Sequence, residues 1–97
     1  MLSLQIRTLA KNDIQEIVDY YDSISPKLAD KFLQQLYSAF DLLLDNPQLF
    51  QLKYRVTRVL YLKTYPFGIH YWFNENEVII LAVIHTSRSP KMWKERS

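Results

Sequence analysis

His85 is the residue of this sequence best placed to move a proton. Histidine is the side chain type suited to act as a general acid or base, and this one follows an apolar run, Val78 to Ile84, with a basic tail behind it. Two arginines, Arg58 and Arg88, can each grip a phosphate through a planar fork of N–H donors and offset charge as a bond breaks. Trp93 or Tyr65 offers a ring on which a base can stack. These are the parts needed to cleave a phosphodiester in RNA. Each also has a plainer reading. A single histidine at a strand end commonly serves as a hydrogen-bonding residue. Arg58 can pair with a carboxylate on a helix, and Trp93 can anchor the tail by packing.

Other chemistries find no support. The sequence has no cysteine, so disulfides and thiolate catalysis are excluded, in keeping with a reducing cytoplasm. With one glycine, Gly68, it has no loop able to cradle a cofactor's phosphates. His70 and His85 are expected on one face of the final hairpin, about four residues or ~13 Å apart along the ladder, too far to share an ion. No cluster of acidic residues supplies other ligands, so neither metal nor cofactor is expected. Arg7, Lys11 and Asp13 come before any apolar run could reach signal-peptide length, so export is not expected, and no apolar run is long enough to cross a membrane. The net charge of +2 conceals a division. Residues 1–50 carry four basic groups against seven acidic, a net −3, and residues 51–97 carry eight against three, a net +5. A positive half suits a polyanion or an acidic protein partner.

The elements that must position these groups can be read in order. Ninety-seven residues suit one domain, 1–97, burying about 60–65% of its unfolded surface. Leu2, Leu4 and Ile6 alternate with polar neighbours as in a short strand. Ile14, Ile17, Val18 and Tyr21 follow helical spacing and predict a helix over about 9–24. Ser25-Pro26 reads as an N-cap with proline at the first helical position, opening a second helix to about Asp45 that Asn46-Pro47 ends. Tyr20, Tyr21, Phe32, Tyr37 and Phe40 are assigned to the core or to packing between the two helices. The period then changes to two. Strands are predicted around Val56–Leu62, Phe67–Phe73 and Val78–Ile84, with turns at Thr64-Tyr65-Pro66 and Asn74-Glu75-Asn76-Glu77. The result is α+β in the order β-α-α-β-β-β, a helical hairpin on one face of a small, mainly antiparallel sheet.

Placing Phe73 opposite Val78 sets the register of the last hairpin. Tyr71 then meets Ile80, Ile69 meets Ala82 and Phe67 meets Ile84, an apolar face for the helices. The other face pairs Trp72 with Ile79, His70 with Leu81 and Gly68 with Val83, with His85 near Pro66. Two helices cover only one face, so Trp72, Ile79, Leu81 and Val83 should form an exposed apolar patch of the kind that receives a partner. Alternatively the tail, through Met92 and Trp93, folds back over it.

Taken together, these residues resemble the RelE/ParE superfamily of toxins from type II toxin–antitoxin modules. The matching pieces are Ala10-x-x-Asp13-Ile14-x-x-Ile17-x-x-Tyr20-Tyr21, Ala29-x-x-Phe32-x-x-x-Leu36, Asn46-Pro47 and Arg58. Tyr65-Pro66-Phe67-x-Ile69-x-Tyr71 and Val83-x-His85-x-x-Arg88-x-Pro90-x-x-Trp93-x-x-Arg96 complete them, in order and across nearly the whole chain. The resemblance implies a cytoplasmic, growth-inhibiting toxin of the plasmid-stabilisation type, neutralised by a cognate antitoxin whose C-terminal segment buries exposed apolar surface. His70, Trp72, Ile79, Leu81 and Val83 would then bind the antitoxin, and operator DNA would be contacted only through that partner.

Two branches of the superfamily differ in action. One cuts messenger RNA on the ribosome, which would put His85, Arg58 and Arg88 in a catalytic site. The other poisons DNA gyrase and cleaves nothing itself, which would make Arg88, Pro90, Lys91, Trp93 and Arg96 a target-binding surface. The His-x-x-Arg-x-Pro-x-x-Trp ending resembles the gyrase branch. The nuclease branch often has an arginine three residues before the tyrosine matching Tyr71, where this chain has Gly68.

Overall fold

A computed structural model describes residues 2–87. Strand β1 (Ser3–Ile6) leads into helix α1 (Thr8–Ile24), and Ser25 alone separates α1 from α2 (Pro26–Asp45). Ser25 takes the N-cap position in an extended conformation, but its hydroxyl makes no capping bond. Its carbonyl instead accepts from Leu28 N–H at 3.0 Å, while its own N–H donates to Tyr21 O at 2.8 Å, so one residue closes both helices. After a short 3₁₀ turn (Pro47–Leu49) the chain forms β2 (Gln51–Tyr54), β3 (Thr57–Tyr61), β4 (Phe67–Phe73) and β5 (Glu77–His85).

The sheet has five strands in the order β1-β5-β4-β3-β2, with β1 parallel to β5 and the other pairs antiparallel. Both helices lie on one face, as expected. β2 is an addition to the expected order. Its pairing with β3 turns at Arg55, which adopts a left-handed φ of 54°. Only a few per cent of non-glycine residues do so, and no glycine or Asn-Gly marks this turn.

The expected register holds at Phe73–Val78, Trp72–Ile79 and Tyr71–Ile80, then fails. A β-bulge leaves Leu81 without a ladder partner, so His70 faces Ala82, Ile69 faces Val83, Gly68 faces Ile84 and Phe67 faces His85. Every residue of β5 beyond the bulge therefore points to the face opposite the one expected. Val83 joins Val78, Ile80, Ile69, Tyr71, Phe32, Leu36 and Leu43 in the core under the helices. Ala82 and Ile84 move to the far face, where Tyr54 packs on them. His70 and His85 consequently lie on opposite faces rather than sharing one.

The bulge falls where β1 has ended. β1 pairs with β5 only from Glu77 to Ile80. Beyond it, the outward backbone N–H of Val83 donates to Asp13 Oδ2 at 3.0 Å, so a carboxylate from α1 takes the place of the missing strand.

The open patch expected on the far face is absent. Ile79, Leu81 and Val83 are 5%, 2% and 1% exposed, His70 is buried, and Trp72 is half-buried. Met92 and Trp93, the alternative cover, lie outside the described residues. Two of the aromatics assigned to packing are also placed differently. Phe32 and Phe40 are buried, but Tyr20 and Tyr37 are mostly exposed.

Candidate functional site

His85 ends β5 beside the start of β4. Its ring stands edge-on to Phe67, centroids 5.4 Å apart, at one end of an aromatic cluster in which Phe67, Phe32, Tyr21 and Tyr65 meet edge to face or tilted. Tyr20, Tyr21, Ile24, Pro66, Phe67, His85 and Ser87 line a cleft of about 460 Å³ there. The histidine's own bonds define its chemistry. Nδ1 accepts from the backbone N–H of Ser87 at 3.0 Å and lies 2.7 Å from the Ser87 hydroxyl. A ring nitrogen that accepts from a backbone N–H carries no proton, so the neutral ring holds its proton on Nε2. In this state His85 offers the cleft a hydrogen-bond donor. Its basic nitrogen is occupied by the turn that leads into the tail.

Arg58 sits at the other end of the sheet. It leaves β3 on the helix-covered face, and its Nη1 donates to Phe50 O at 2.8 Å and to Gln48 O at 3.1 Å. Its guanidinium also lies 5.8 Å from the centre of the Phe73 ring. Beside it, Tyr71 donates its hydroxyl proton to Pro47 O at 2.5 Å. Burial pushes the Tyr71 pKa up to about 12, against the opposing influence of the Arg58 charge. Arg58 and Tyr71 thus staple the 3₁₀ turn between α2 and β2 to the sheet, and the expected pairing of Arg58 with a helix carboxylate gives way to backbone carbonyls.

The ladder separates the two candidate groups. Arg58 is opposite Tyr71 on β4, and His85 is opposite Phe67. That is four residues, ~13 Å, along the strands and two strand spacings, about 10 Å, across them. Tyr65 is no free stacking platform. Its ring meets Tyr21 and Phe32 edge to face, and its hydroxyl donates to Leu28 O at 3.4 Å. Arg88, Pro90, Lys91, Trp93 and Arg96 lie outside the described residues. Among the described residues no group of three or more His, Asp or Glu side chains could hold a metal ion, and no helix is long and apolar enough to cross a membrane.

Gly68, where the nuclease branch often has arginine, lies on the far face opposite Tyr61 and Ile84. A Cβ there would meet Val59 Cγ2 at 3.0 Å and the Tyr61 ring at 3.2 Å. The strand crossing is too close to admit a side chain without movement.

Two exposed rims escaped the pattern of the sequence. One is the outer side of α1, where Leu9, Tyr20 and Ile24 are all more than half exposed. The other is the β2–β3 hairpin, where Leu52, Val56 and Tyr61 are exposed among Lys53, Arg55 and Lys63. The first could have been found on a helical projection, since Tyr20 and Ile24 share a stripe beside the core stripe of Ile17 and Tyr21.

A helical hairpin over a five-stranded sheet, with an aromatic cleft at one end and a basic hairpin at the other, makes this a small α+β protein, the architecture expected from the resemblance to the RelE/ParE superfamily. The family described as the ParE toxin of type II toxin–antitoxin system, parDE, matches residues 4–90. A solved structure, the chromosomal ParDE TA system from P. aeruginosa, is similar with a TM-score of 0.76 and 26% identity, covering 88% of this chain and 96% of that one. No curated protein matches. The chain belongs to the ParE toxin family of type II toxin–antitoxin systems.

Proposed function

We propose that the chain arrests bacterial growth by binding DNA gyrase in the cytoplasm, cleaves no RNA itself, and is neutralised by a cognate antitoxin that alone contacts operator DNA. The observation that carries this reading is the separation of His85 from Arg58, each already committed within the fold. A cleaving site needs its proton-transfer group and its charge-stabilising group around one phosphate. Here they lie at opposite ends of the sheet. The absence of room at Gly68 points the same way. In this reading Arg88, Pro90, Lys91, Trp93 and Arg96 recognise the target, and His85, whose Nδ1 is taken up by Ser87, has no part in the action.

The test is a pulse-label time course after induction of the chain without antitoxin. DNA synthesis is expected to fall before protein synthesis, and a folded His85→Ala chain should still stop growth. Early loss of protein synthesis with cleaved transcripts, abolished by His85→Ala, would replace this reading with the nuclease one.

A further inference from the structure

Two rims of the chain carry exposed apolar side chains beside charges of opposite sign. On α1, the spacing of Leu9, Glu16, Tyr20 and Ile24 sets them on one stripe of the helix. Leu9, Tyr20 and Ile24 are 54%, 62% and 59% exposed, and Glu16 is exposed among them. Asp13, on the same stripe, accepts from the N–H of Val83, and exposed Asp19 borders it. Lys11, the one basic residue of α1, falls about 200° round the helix from Leu9. Arg7 and Lys27 lie beyond the two ends of the helix.

The other rim is the β2–β3 hairpin, where Leu52, Val56 and Tyr61 are 51%, 68% and 46% exposed. Lys53 Nζ lies 5.9 Å from the centre of the Tyr61 ring and the Arg55 guanidinium lies 5.0 Å from that of Tyr54. Such contacts hold the cations against the hairpin. Lys63 is exposed as well, while Arg58 is tied to backbone carbonyls. From Asn46 to Asn74 the sequence has four basic residues and no acidic one, with Asp45 and Glu75 just outside.

α1 is bonded to β5 through Asp13, and β4 and β3 lie between β5 and β2. The rims therefore belong to different sides of the chain, and a copy cannot bring its own hairpin onto its own α1. Nor does either rim suit itself. Hairpin on hairpin would oppose Lys53 and Arg55 to their counterparts, and α1 on α1 would oppose Glu16 and Asp19 to theirs. Hairpin on α1 joins apolar to apolar and positive to negative.

We propose that the chain associates with itself head to tail, the β2–β3 hairpin of one copy seated on the α1 stripe of the next. Leu52 and Val56 cover Tyr20 and Ile24, and Lys53 and Arg55 meet Glu16 and Asp19. The contact is made by side chains and adds no strand to the sheet. Being heterologous, it leaves a free hairpin and a free stripe at the ends, so association continues past a dimer as concentration rises. The few apolar side chains on each side make it weak and sensitive to salt. It does not rest on the toxin reading, because neither antitoxin nor gyrase enters it.

The test is sedimentation equilibrium of the purified chain over a wide range of concentration, in low and in high salt. The mean mass is expected to rise with concentration in low salt and to fall back toward the monomer in high salt. Lys53→Glu/Arg55→Glu and Glu16→Lys/Asp19→Lys should each weaken association by about tenfold or more. The net charge of +2 becomes −2 in the first and +6 in the second, so a general charge effect does not explain loss in both. Mixed in equal amounts, the two variants should associate again, since every hairpin-on-α1 contact between unlike copies joins opposite charges. Amide shifts on dilution of the wild-type chain should map to residues 16–24 and 52–56, a readout that stands even where a variant fails to fold. A wild-type chain that stays monomeric, variants that associate as it does, a mixture that does not associate, or shifts centred elsewhere would each overturn the proposal. So would a symmetric dimer that grows no further.

Discussion

Replacing Arg58 with alanine separates a structural arginine from a catalytic one. The side chain makes two hydrogen bonds to main-chain carbonyls, one partly buried and one exposed, and packs its charge against Phe73. Hydrogen bonds from a charged group contribute about 1.5–3 kcal/mol when well shielded, and solvent at Gln48 argues for the lower end. The aromatic contact adds about 0.5–1 kcal/mol. The expected loss is then about 2–4 kcal/mol, which for a domain near 100 residues lowers Tm by roughly 10–25 °C. Circular dichroism melts of wild type, Arg58→Ala and Arg58→Lys read this directly. The lysine variant should fall between the other two, because an ammonium can reach one carbonyl but does not reproduce the fork. Growth arrest should track the folded fraction and persist at low temperature. An Arg58→Ala chain that melts with the wild type yet has lost toxicity would refute the reasoning and return Arg58 to an active site.

Other perturbations test neighbouring parts of the argument. Tyr71→Phe should cost about 1–3 kcal/mol by leaving Pro47 O without its donor, measured by denaturant unfolding. Because burial raises the Tyr71 pKa to about 12 from 10, the unfolded chain loses this proton first. The associated stability is complete below about pH 10 and is lost as the pH climbs toward 12, by about 2–3 kcal/mol. Tyr21, raised by burial and then by Tyr65 and Tyr20, contributes in the same direction, so Tyr71→Phe should reduce this slope without abolishing it. Gly68→Ala should destabilise by about 1–2 kcal/mol, since displacing buried Val59 outweighs the gain of removing a strand glycine. Gly68→Arg should cost more and confer no RNA cleavage in a purified assay. Asp13→Ala should cost about 1 kcal/mol and speed exchange of the Val83 amide, while Asp13→Asn, which keeps an acceptor, should restore protection.

The helices, the turns and the order of the last strands were legible because each carries a local signal. Ile14, Ile17, Val18 and Tyr21 keep helical spacing, Pro26 and Pro47 mark helix starts and stops, and Asn74 folds its turn by accepting from the N–H groups of Asn76 and Glu77. β2 was not legible. Gln51-Leu52-Lys53-Tyr54 has no buried parity, being an exposed edge, and its turn uses Arg55 where a glycine would have announced it. The bulge was hidden for the opposite reason. Val78 to Ile84 is apolar at every position, so a slip by one residue changes no hydrophobic pattern while exchanging the faces of Val83, Ile84 and His85. Reading the site depended on that parity. His85 is placed against the helices and not on the far face, and no feature of the sequence distinguishes the two.

The same slip decides where a partner can attach. An unbulged β5 would have put Val83 with Trp72 and Ile79 on an open face. With the bulge, Val83 is sealed under α1 and α2, and the exposed apolar side chains among the described residues include those of two rims, besides Tyr37, Leu42 and Leu49. Exposed apolar area does not choose between them, since Leu9, Tyr20 and Ile24 on α1 match Leu52, Val56 and Tyr61 at the hairpin. Charge does. Along α1 the exposed residues around Tyr20 include Glu16, Asp19 and Asp22, which would repel an acidic segment. At the hairpin, Lys53, Arg55 and Lys63 would attract it, with no acidic residue from Asn46 to Asn74 to oppose them. Repulsion at the wrong rim contributes to specificity as much as attraction at the right one. Charge therefore favours an acidic segment at the hairpin, and at the α1 rim a ligand of the opposite sign.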